Sequence, residues 1–217
     1  MHPGWLSNAY LAYDEPGGTA VFVDSGAPLE PLLETVEREN LTVTHVLTTH
    51  AHADHVAGDD ELVRRFGATI AKGPLQTGRL SFQALPTPGH SSDGLAFVAE
   101  EEAVFTGDTL FKGSVGGGAF DEVRRSVMEV LMTLPPELHV YPGHTDETTI
   151  GREWEENPFV RVWRGVEPEG TQPCRVGGEE ATLVVWSPDY DGKGKAWVRL
   201  ADGRDAIVGG SRVERLT

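Results

Sequence analysis

Short apolar runs alternate with amphipathic stretches over the first three quarters of the chain. The runs that predict strands cover residues 8–13, 20–24, 43–48, 80–85, 95–98, 103–106 and 139–141. The stretches that predict helices cover residues 28–39, the segment holding Leu62, Val63 and Phe66 that Gly67 closes, residues 121–133, and residues 149–157 ended by Pro158. Strands and helices in this order predict layered α/β packing, with helices covering sheets.

The pattern changes after about Gly165. Residues 171–217 lack a helical apolar stripe, and four runs predict strands at 181–186, 196–200, 205–208 and 212–216. Asp191-Gly192 and Asp202-Gly203 are typical of tight turns between antiparallel strands. We therefore expect two domains: an α/β domain over residues 1–165 and a small antiparallel β module over residues 171–217.

The charge balance limits the partners that the chain can have. Its 217 residues include 18 Lys and Arg against 34 Asp and Glu, which gives a formal net charge of −16. Such a surface repels phosphate backbones and anionic lipids, so nucleic acid and membrane are poor partners. The start of the chain lacks a basic segment followed by an apolar one, and Cys174 is the single cysteine. We expect a cytoplasmic protein.

One short segment concentrates metal-binding side chains. In Thr49-His50-Ala51-His52-Ala53-Asp54-His55, three histidines and an aspartate directly follow a predicted strand. Imidazole nitrogens and carboxylate oxygens are ligands for Zn, Fe or Mn, and a loop after a strand can gather them around one point. A solvated polar loop is the alternative interpretation, and the density of ligands argues against it.

Three more predicted strands end in residues of the same kind. His90 lies in Thr87-Pro88-Gly89-His90, Asp108 in Phe105-Thr106-Gly107-Asp108, and His144 in Tyr141-Pro142-Gly143-His144. Loops on a rigid scaffold are the usual place for a binding or catalytic site. These four strand ends therefore predict one metal centre.

Together, these segments resemble the metallo-β-lactamase superfamily, and within it the glyoxalase II (hydroxyacylglutathione hydrolase) branch, over about residues 6–165. The resemblance implies an α/β fold, the four-layer αβ/βα sandwich, with a metal site at one edge. It also implies that His50, His52 and His90 hold one metal, that Asp54, His55 and His144 hold a second, and that Asp108 bridges them. The implied cofactors are two divalent ions, with zinc expected first and iron or manganese as alternatives.

Two such ions can share a hydroxide that attacks an acyl carbonyl while a metal takes charge from the oxyanion. Asp54 and Asp108 are the expected catalytic carboxylates. Their two negative charges do not cancel the positive charge of two divalent ions, so the cluster stays electrophilic. The predicted activity is hydrolysis of a thioester or related acyl ester of a small molecule.

The chain departs from its relatives beside the site. Gly116-Gly117-Gly118-Ala119 stands where they often have Gly-Arg-Thr-Asp, and Thr145-Asp146 follows His144 where glyoxalase II has Glu-Tyr. The three glycines form either a flexible flap or a tight loop, and Lys112 either holds a substrate carboxylate or is simply exposed. The tail is β-rich, whereas glyoxalase II has a helical C-terminal domain. Recognition of glutathione is therefore an open question.

Two other functions stay open. The same motif resembles the mononuclear iron persulfide dioxygenases, in which His50, His90 and Asp108 alone would hold iron. A non-catalytic, metal-containing binding protein is the third hypothesis. The oligomeric state is not determined by the sequence, and a dimer is possible.

Overall fold

The computed structural model describes residues 4–100 and 102–216. Its strands are β1 (Tyr10–Tyr13), β2 (Thr19–Val23), β3 (Thr42–Leu47), β4 (Thr69–Ala71), β5 (Leu75–Thr77), β6 (Leu80–Pro86), β7 (Leu95–Ala99), β8 (Ala103–Gly107), β9 (Leu110–Phe111), β10 (Ser114–Val115), β11 (His139–Pro142), β12 (Thr148–Thr149), β13 (Gln172–Val176), β14 (Glu179–Ser187), β15 (Lys195–Leu200), β16 (Asp205–Gly209) and β17 (Val213–Arg215). Its helices are α1 (Glu30–Arg38), α2 (Ala53–Val56), α3 (Asp59–Phe66), α4 (Phe120–Arg125), α5 (Ile150–Glu156) and α6 (Pro158–Trp163).

Two sheets form the centre of the larger part of the molecule. The first has the order β1-β2-β3-β4, with β2, β3 and β4 parallel. The second has the order β12-β11-β8-β7-β6-β5, and its single parallel pair is β8 with β11. Because β6 and β8 both run antiparallel to β7, the ends of β6, β8 and β11 lie at the same edge. That edge carries the site described below.

Alternation along β2 shows why the sheets are covered on both faces. Val21 packs with Phe97 of the second sheet, whereas the next residue, Phe22, packs with Leu33 of α1 and Leu62 of α3. Successive side chains of a strand point to opposite faces, so the buried residues of one strand supply two apolar cores. The αβ/βα sandwich expected from the resemblance is confirmed.

The predicted helix over residues 121–133 is one irregular helical segment. After α4 it continues as a π-helical turn (Ser126–Val130) and a 3-10 turn (Leu131–Thr133). Its apolar positions Val123, Val127 and Leu131 are buried.

No helix among the described residues is both long enough and apolar enough to cross a bilayer.

The predicted helix over residues 149–157 ends before Pro158, as expected, but a further helix follows that the sequence did not predict. The helix α5 stops at Glu156, but Pro158 begins α6. The side chain of Asn157 accepts hydrogen bonds from the main-chain N–H groups of Phe159 and Val160, at 3.0 and 3.4 Å. A capping Asn followed by Pro at the first helical position starts a helix, because Pro lacks only an N–H that would be unpaired there.

The C-terminal sheet has five antiparallel strands in the order β16-β15-β14-β13-β17. The sequence predicted four of them and missed β13, which pairs with β14 through a turn at Gly177-Gly178. Both glycines have positive φ, 61° and 87°, as a type I′ turn requires. This adjacent pair was the signal for an additional hairpin.

The two faces of this sheet pack against different partners. Trp197 and Ile207 belong to the same buried cluster as Val127 and Phe159 of the larger part. The opposite face buries Cys174 in a cluster made of the sheet's own residues. Whether residues 171–217 fold independently of residues 1–165 stays a prediction.

Candidate metal centre

The loop after β3 brings four candidate ligands to the edge of the sandwich. His50 follows the strand, His52 precedes the short helix α2, and Asp54 and His55 lie in its first turn. His50 and His55 are 2% and 0% exposed, whereas His52 is exposed and Asp54 is partly exposed. The segment thus reaches from the core to the surface.

His90, Asp108 and His144 join this loop from the second sheet. They follow β6, β8 and β11, the strands whose ends lie at one edge. Asp108 and His144 are almost completely buried, and 22% of the His90 side chain is exposed. All seven residues that the sequence singled out therefore meet at one place.

The ligand atoms form three overlapping groups, each within 4.8 Å. They are His50, His52 and His90; His50, His55 and Asp108; and Asp54, His55 and His144. In the first group, His50 Nε2 and His90 Nε2 each lie 3.0 Å from His52 Nδ1. In the third group, Asp54 Oδ2 lies 3.6 Å from His55 Nε2 and 3.5 Å from His144 Nε2.

Asp108 lies between the two outer groups. Its Oδ1 is 3.4 Å from His55 Nε2, and its Oδ2 is 3.5 Å from His90 Nε2 and 3.3 Å from His144 Nε2. His55 Nε2 and Asp108 Oδ1 are buried and have no hydrogen-bond partner in the described chain. Two such atoms facing each other fit a cation, because a bound ion would satisfy both.

The remaining ring nitrogens of the buried histidines are held by the protein. His90 Nδ1–H donates to the carbonyl of Gly117 and His144 Nδ1–H to that of Leu6, both at 2.8 Å. Thr49 Oγ1 donates to Asp24 Oδ2 at 2.8 Å and accepts from His50 Nδ1 at 3.1 Å. Partners of this kind fix the tautomer and turn the Nε2 lone pair toward a metal.

Asp24 is a functional residue that the sequence interpretation missed. It follows β2, is 3% exposed, and accepts hydrogen bonds from His55 Nδ1 and from the main-chain N–H of Thr49, each at 2.8 Å. Its φ of 55° is rare for a residue other than glycine and typical of strained positions at functional sites. An acidic residue directly after an apolar strand, as at Asp108, was the available signal.

Burial and charge act differently on the histidines. Burial, aided by the neighbouring His55, lowers the pKa of His50 to about 3, and burial also lowers the pKa of His90. Burial likewise favours the neutral form of His55, but the carboxylates of Asp108 and Asp24 outweigh it and raise the pKa of His55 to about 10. Neutral imidazoles are the form that binds metals. In His55, a metal would take the place of a proton.

The Gly116–Gly118 segment is a packed loop. Gly116 is buried, and a Cβ there would overlap the carbonyl of Asp108. The carbonyl of Gly117 holds His90, and Gly118 forms an isolated bridge with Ile207 of β16. These contacts favour the tight-loop interpretation over the flap.

Gly143 lets two ligands approach one another. A Cβ at this position would overlap Asp108 Oδ1 and lie 2.7 Å from His55 Cε1. Glycine is therefore required directly before His144, for steric reasons.

Lys112, which the sequence left either as a substrate contact or as an exposed residue, forms an ion pair with the exposed Asp146 at 3.0 Å.

The C-terminal sheet also reaches the centre, and no sequence pattern indicated it. Tyr190, between β14 and β15, stacks on His144 with ring centroids 3.9 Å apart and an interplanar angle of 7°. It also contacts Phe111 edge-on, at 5.8 Å. Tyr190 lies next to a predicted turn, and no local pattern there indicates a contact with His144, which is far away in the sequence.

Sequence comparison relates the chain to one superfamily and to a hydrolase-like human protein. A family model described as the metallo-beta-lactamase superfamily matches residues 2–81. The hydroxyacylglutathione hydrolase-like protein of Homo sapiens is 34% identical over 203 residues, which span 78% of this chain and 69% of that protein.

Three solved structures are similar at the level of fold and sequence. ETHE1 from Myxococcus xanthus is 33% identical with a TM-score of 0.66, covering 75% of this chain and 83% of that one. BLEG-1, a B3 metallo-beta-lactamase, is 28% identical with a TM-score of 0.66, covering 71% and 94%. TTHA1623, crystallised in a di-iron-bound form, is 33% identical with a TM-score of 0.60, covering 73% and 98%.

Proposed function

Because the chain belongs to the metallo-β-lactamase superfamily, we propose that it is a metal-dependent hydrolase that cleaves a thioester or related acyl ester of a small molecule. The observation that carries the proposal is the position of Asp108, which lies within 3.5 Å of both His55 Nε2 and His90 Nε2. One carboxylate thus contacts both outer groups of candidate ligands, as a ligand shared between two ions must.

In this proposal His50, His52 and His90 hold one divalent ion, and Asp54, His55 and His144 hold the second, with Asp108 shared. Imidazole and carboxylate ligands suit zinc, iron and manganese. Zinc is our first expectation, and the di-iron form of TTHA1623 supports iron as the main alternative.

Two divalent ions, when bound, lower the pKa of a water and stabilise the oxyanion of an attacked acyl group. The chain's own residues orient and transfer protons. We assign Asp54, which is 26% exposed and therefore reached by solvent, as the acceptor of the proton of the attacking water. Asp108, 6% exposed, keeps both ligand groups at a fixed separation.

The human relative supports thioester hydrolysis, but the substrate of this chain need not be a glutathione thioester. Gly117 and Thr145-Asp146 stand where the family resemblance leads us to expect Arg and Glu-Tyr. We therefore propose a thioester or ester with a different leaving group.

The second candidate function is persulfide oxidation, favoured by the similarity to ETHE1. His50, His90 and Asp108 would then hold one iron, a set of two histidines and one carboxylate. A binding protein without catalysis is the third candidate.

The decisive test combines metal analysis with activity. The purified protein is analysed for zinc, iron and manganese, then assayed without oxygen on thioesters, esters, lactones, phosphodiesters and a chromogenic β-lactam. We expect two metals per chain and anaerobic thioester or ester cleavage. One iron per chain with oxygen consumption on a persulfide would establish the oxygenase instead. Metal-loaded protein inert in every assay would favour the binding protein.

A further inference from the structure

We infer that the β14–β15 loop, residues 188–194, forms one side of the substrate site and that Tyr190 on this loop binds the acyl group. The inference rests on the proposed hydrolase function and adds to it a specificity-determining residue supplied by the C-terminal sheet. Its support comes from the position of the ring, the state of its hydroxyl group and the way in which the loop is held.

The Tyr190 ring lies directly on a candidate ligand. It is nearly parallel to His144 at 3.9 Å between centroids, and His144 Nε2 is 3.3 Å from Asp108 Oδ2. The phenol is half-buried, so one part of it packs against the protein while another stays accessible. An amphipathic ring in this situation suits a contact that is apolar on one side and polar at its tip.

The hydroxyl of Tyr190 is available to a ligand. Within residues 4–100 and 102–216 it forms no hydrogen bond, although the main-chain N–H of Tyr190 donates to Asp189 Oδ1 at 2.9 Å. A phenol is protonated at neutral pH and can donate. An acyl carbonyl at the centre is the acceptor that this donor fits.

The loop is fixed at both ends, which makes it a preformed surface. Lys195 Nζ pairs with Asp189 Oδ2 at 2.9 Å, with side chains that are 11% and 3% exposed. Ser187 Oγ, just before the loop, lies 2.8 Å from Ser114 Oγ, and both residues are completely buried. Preorganised groups bind with little loss of conformational freedom.

Gly194 closes the loop against the body of the sheet. Its φ is 82°, and a Cβ there would overlap the ring of Trp186. Only glycine therefore fits where the loop returns to β15 beside Trp186.

The test uses full-length, metal-loaded protein with Tyr190→Phe, Tyr190→Ala and the control Tyr13→Phe. Tyr13 is 39% exposed at the far end of β1. The probe is acetohydroxamate, a small acyl compound that binds divalent metals, with its Kd measured by calorimetry. Metal content and kcat/KM on the best substrate of the panel are measured on the same samples.

We expect Tyr190→Phe to keep its metal and to raise the Kd of the probe about tenfold, as the loss of one hydrogen bond predicts. Its kcat/KM should fall by a similar factor, and Tyr190→Ala should lose more. Tyr13→Phe should match the wild type. Wild-type Kd in Tyr190→Phe, or a wild-type protein that does not bind the probe, would overturn the inference. If the wild type cleaves nothing while Tyr190→Phe still weakens the probe, the hydrolase proposal fails and the role of Tyr190 stands.

Discussion

Asp24 and His55 form a buried pair at the back of the metal centre, with Oδ2 and Nδ1 2.8 Å apart. The two residues are far apart in the sequence, since Asp24 follows β2 and His55 lies in α2, and the fold brings them together. The carboxylate fixes which nitrogen of His55 faces Asp54 and Asp108. Asp24 is thus a support for a candidate ligand and has no place among the ligands themselves.

Replacing Asp24 by Asn should weaken metal binding while keeping the volume of the side chain. Loss of a carboxylate partner behind a metal-ligating histidine typically costs 10- to 100-fold in affinity or activity. Competition with a chromophoric chelator measures the affinity. The control is Asp60→Asn, which changes an exposed carboxylate on α3 in the same way. Equal affinity in both variants would contradict the supporting role.

His52→Ala separates the two enzymatic hypotheses. Its Nδ1 is 3.0 Å from two other candidate ligands, so the hydrolase should lose activity and about one metal per chain. A mononuclear oxygenase that uses His50, His90 and Asp108 should keep both its activity and its bound metal. His139→Ala, which alters an exposed histidine, is the matched control. Activity and metal content are read from one preparation.

Asp108→Ala should abolish hydrolysis and lower the bound metal. The substitution removes the carboxylate that lies within 3.5 Å of three imidazoles, the shared ligand in our proposal. Turnover and elemental analysis test this. Full activity with unchanged stoichiometry would disprove the shared-ligand assignment.

Gly143→Ala should displace Asp108 and reduce metal content without touching any ligand directly. The added methyl group would overlap Asp108 Oδ1 and crowd His55. Gly73→Ala is the control, because a Cβ there meets open space. Elemental analysis compares the two variants after identical metal loading. A normal metal content in Gly143→Ala would show that the main chain after β11 shifts to accommodate the methyl group without displacing Asp108.

Ser187→Ala should lower the free energy of unfolding by about 1–3 kcal/mol, since it leaves the buried Ser114 hydroxyl without its partner. Denaturant titration of the metal-free protein measures the change. Adding Ser114→Ala should restore part of the loss, because no unpaired polar group then remains. The exposed Ser211→Ala is the control. An unchanged midpoint in the single variant would show that this tie is weak.

Metal-free protein should lose stability on acidification through His50. The folded state keeps the pKa of His50 near 3, whereas an unfolded chain binds the proton at its ordinary value of 6.5. The free energy of unfolding should therefore fall as pH drops from 6.5 toward 3, by at most about 1.4 kcal/mol per pH unit from this residue. His50→Gln should show a shallower slope in urea titrations. An identical slope would contradict the shifted pKa.

His55 acts on the alkaline side of the same curve. Its pKa rises to about 10 on folding, so its contribution is complete below pH 6.5 and is lost as pH rises through 10. Metal-free protein should therefore be less stable at pH 9.5 than at pH 7, and His55→Gln should remove much of that difference.

The sequence predicted the central strands and pointed to the seven candidate ligands that the fold brings together, because both signals are local. Strands such as β2 and β7 are continuous apolar runs, and the four ligand segments each combine a strand end with histidine or aspartate. The two-residue strands β9, β10 and β12 carry no periodicity that a sequence can show. They exist because neighbouring strands supply their partners.

Asp24 and Tyr190 were missed for a different reason. Each acts through a contact with a residue far away in the sequence, His55 in one case and His144 in the other. Patterns in a single sequence indicate which residues could bind a metal, but they do not indicate which distant residues form hydrogen bonds to them or stack on them. Only the packing of three sheets shows that.

The contact between Leu6 and His144 has a practical side. The main-chain carbonyl of Leu6 holds the imidazole, and the next residues run alongside Gly143, with Asn8 N donating to its carbonyl at 2.7 Å. Leu6 and Asn8 thereby hold one candidate metal ligand and the residue before it in place. A protease that removes Leu6 should therefore loosen His144, although it cuts far along the chain from every candidate ligand.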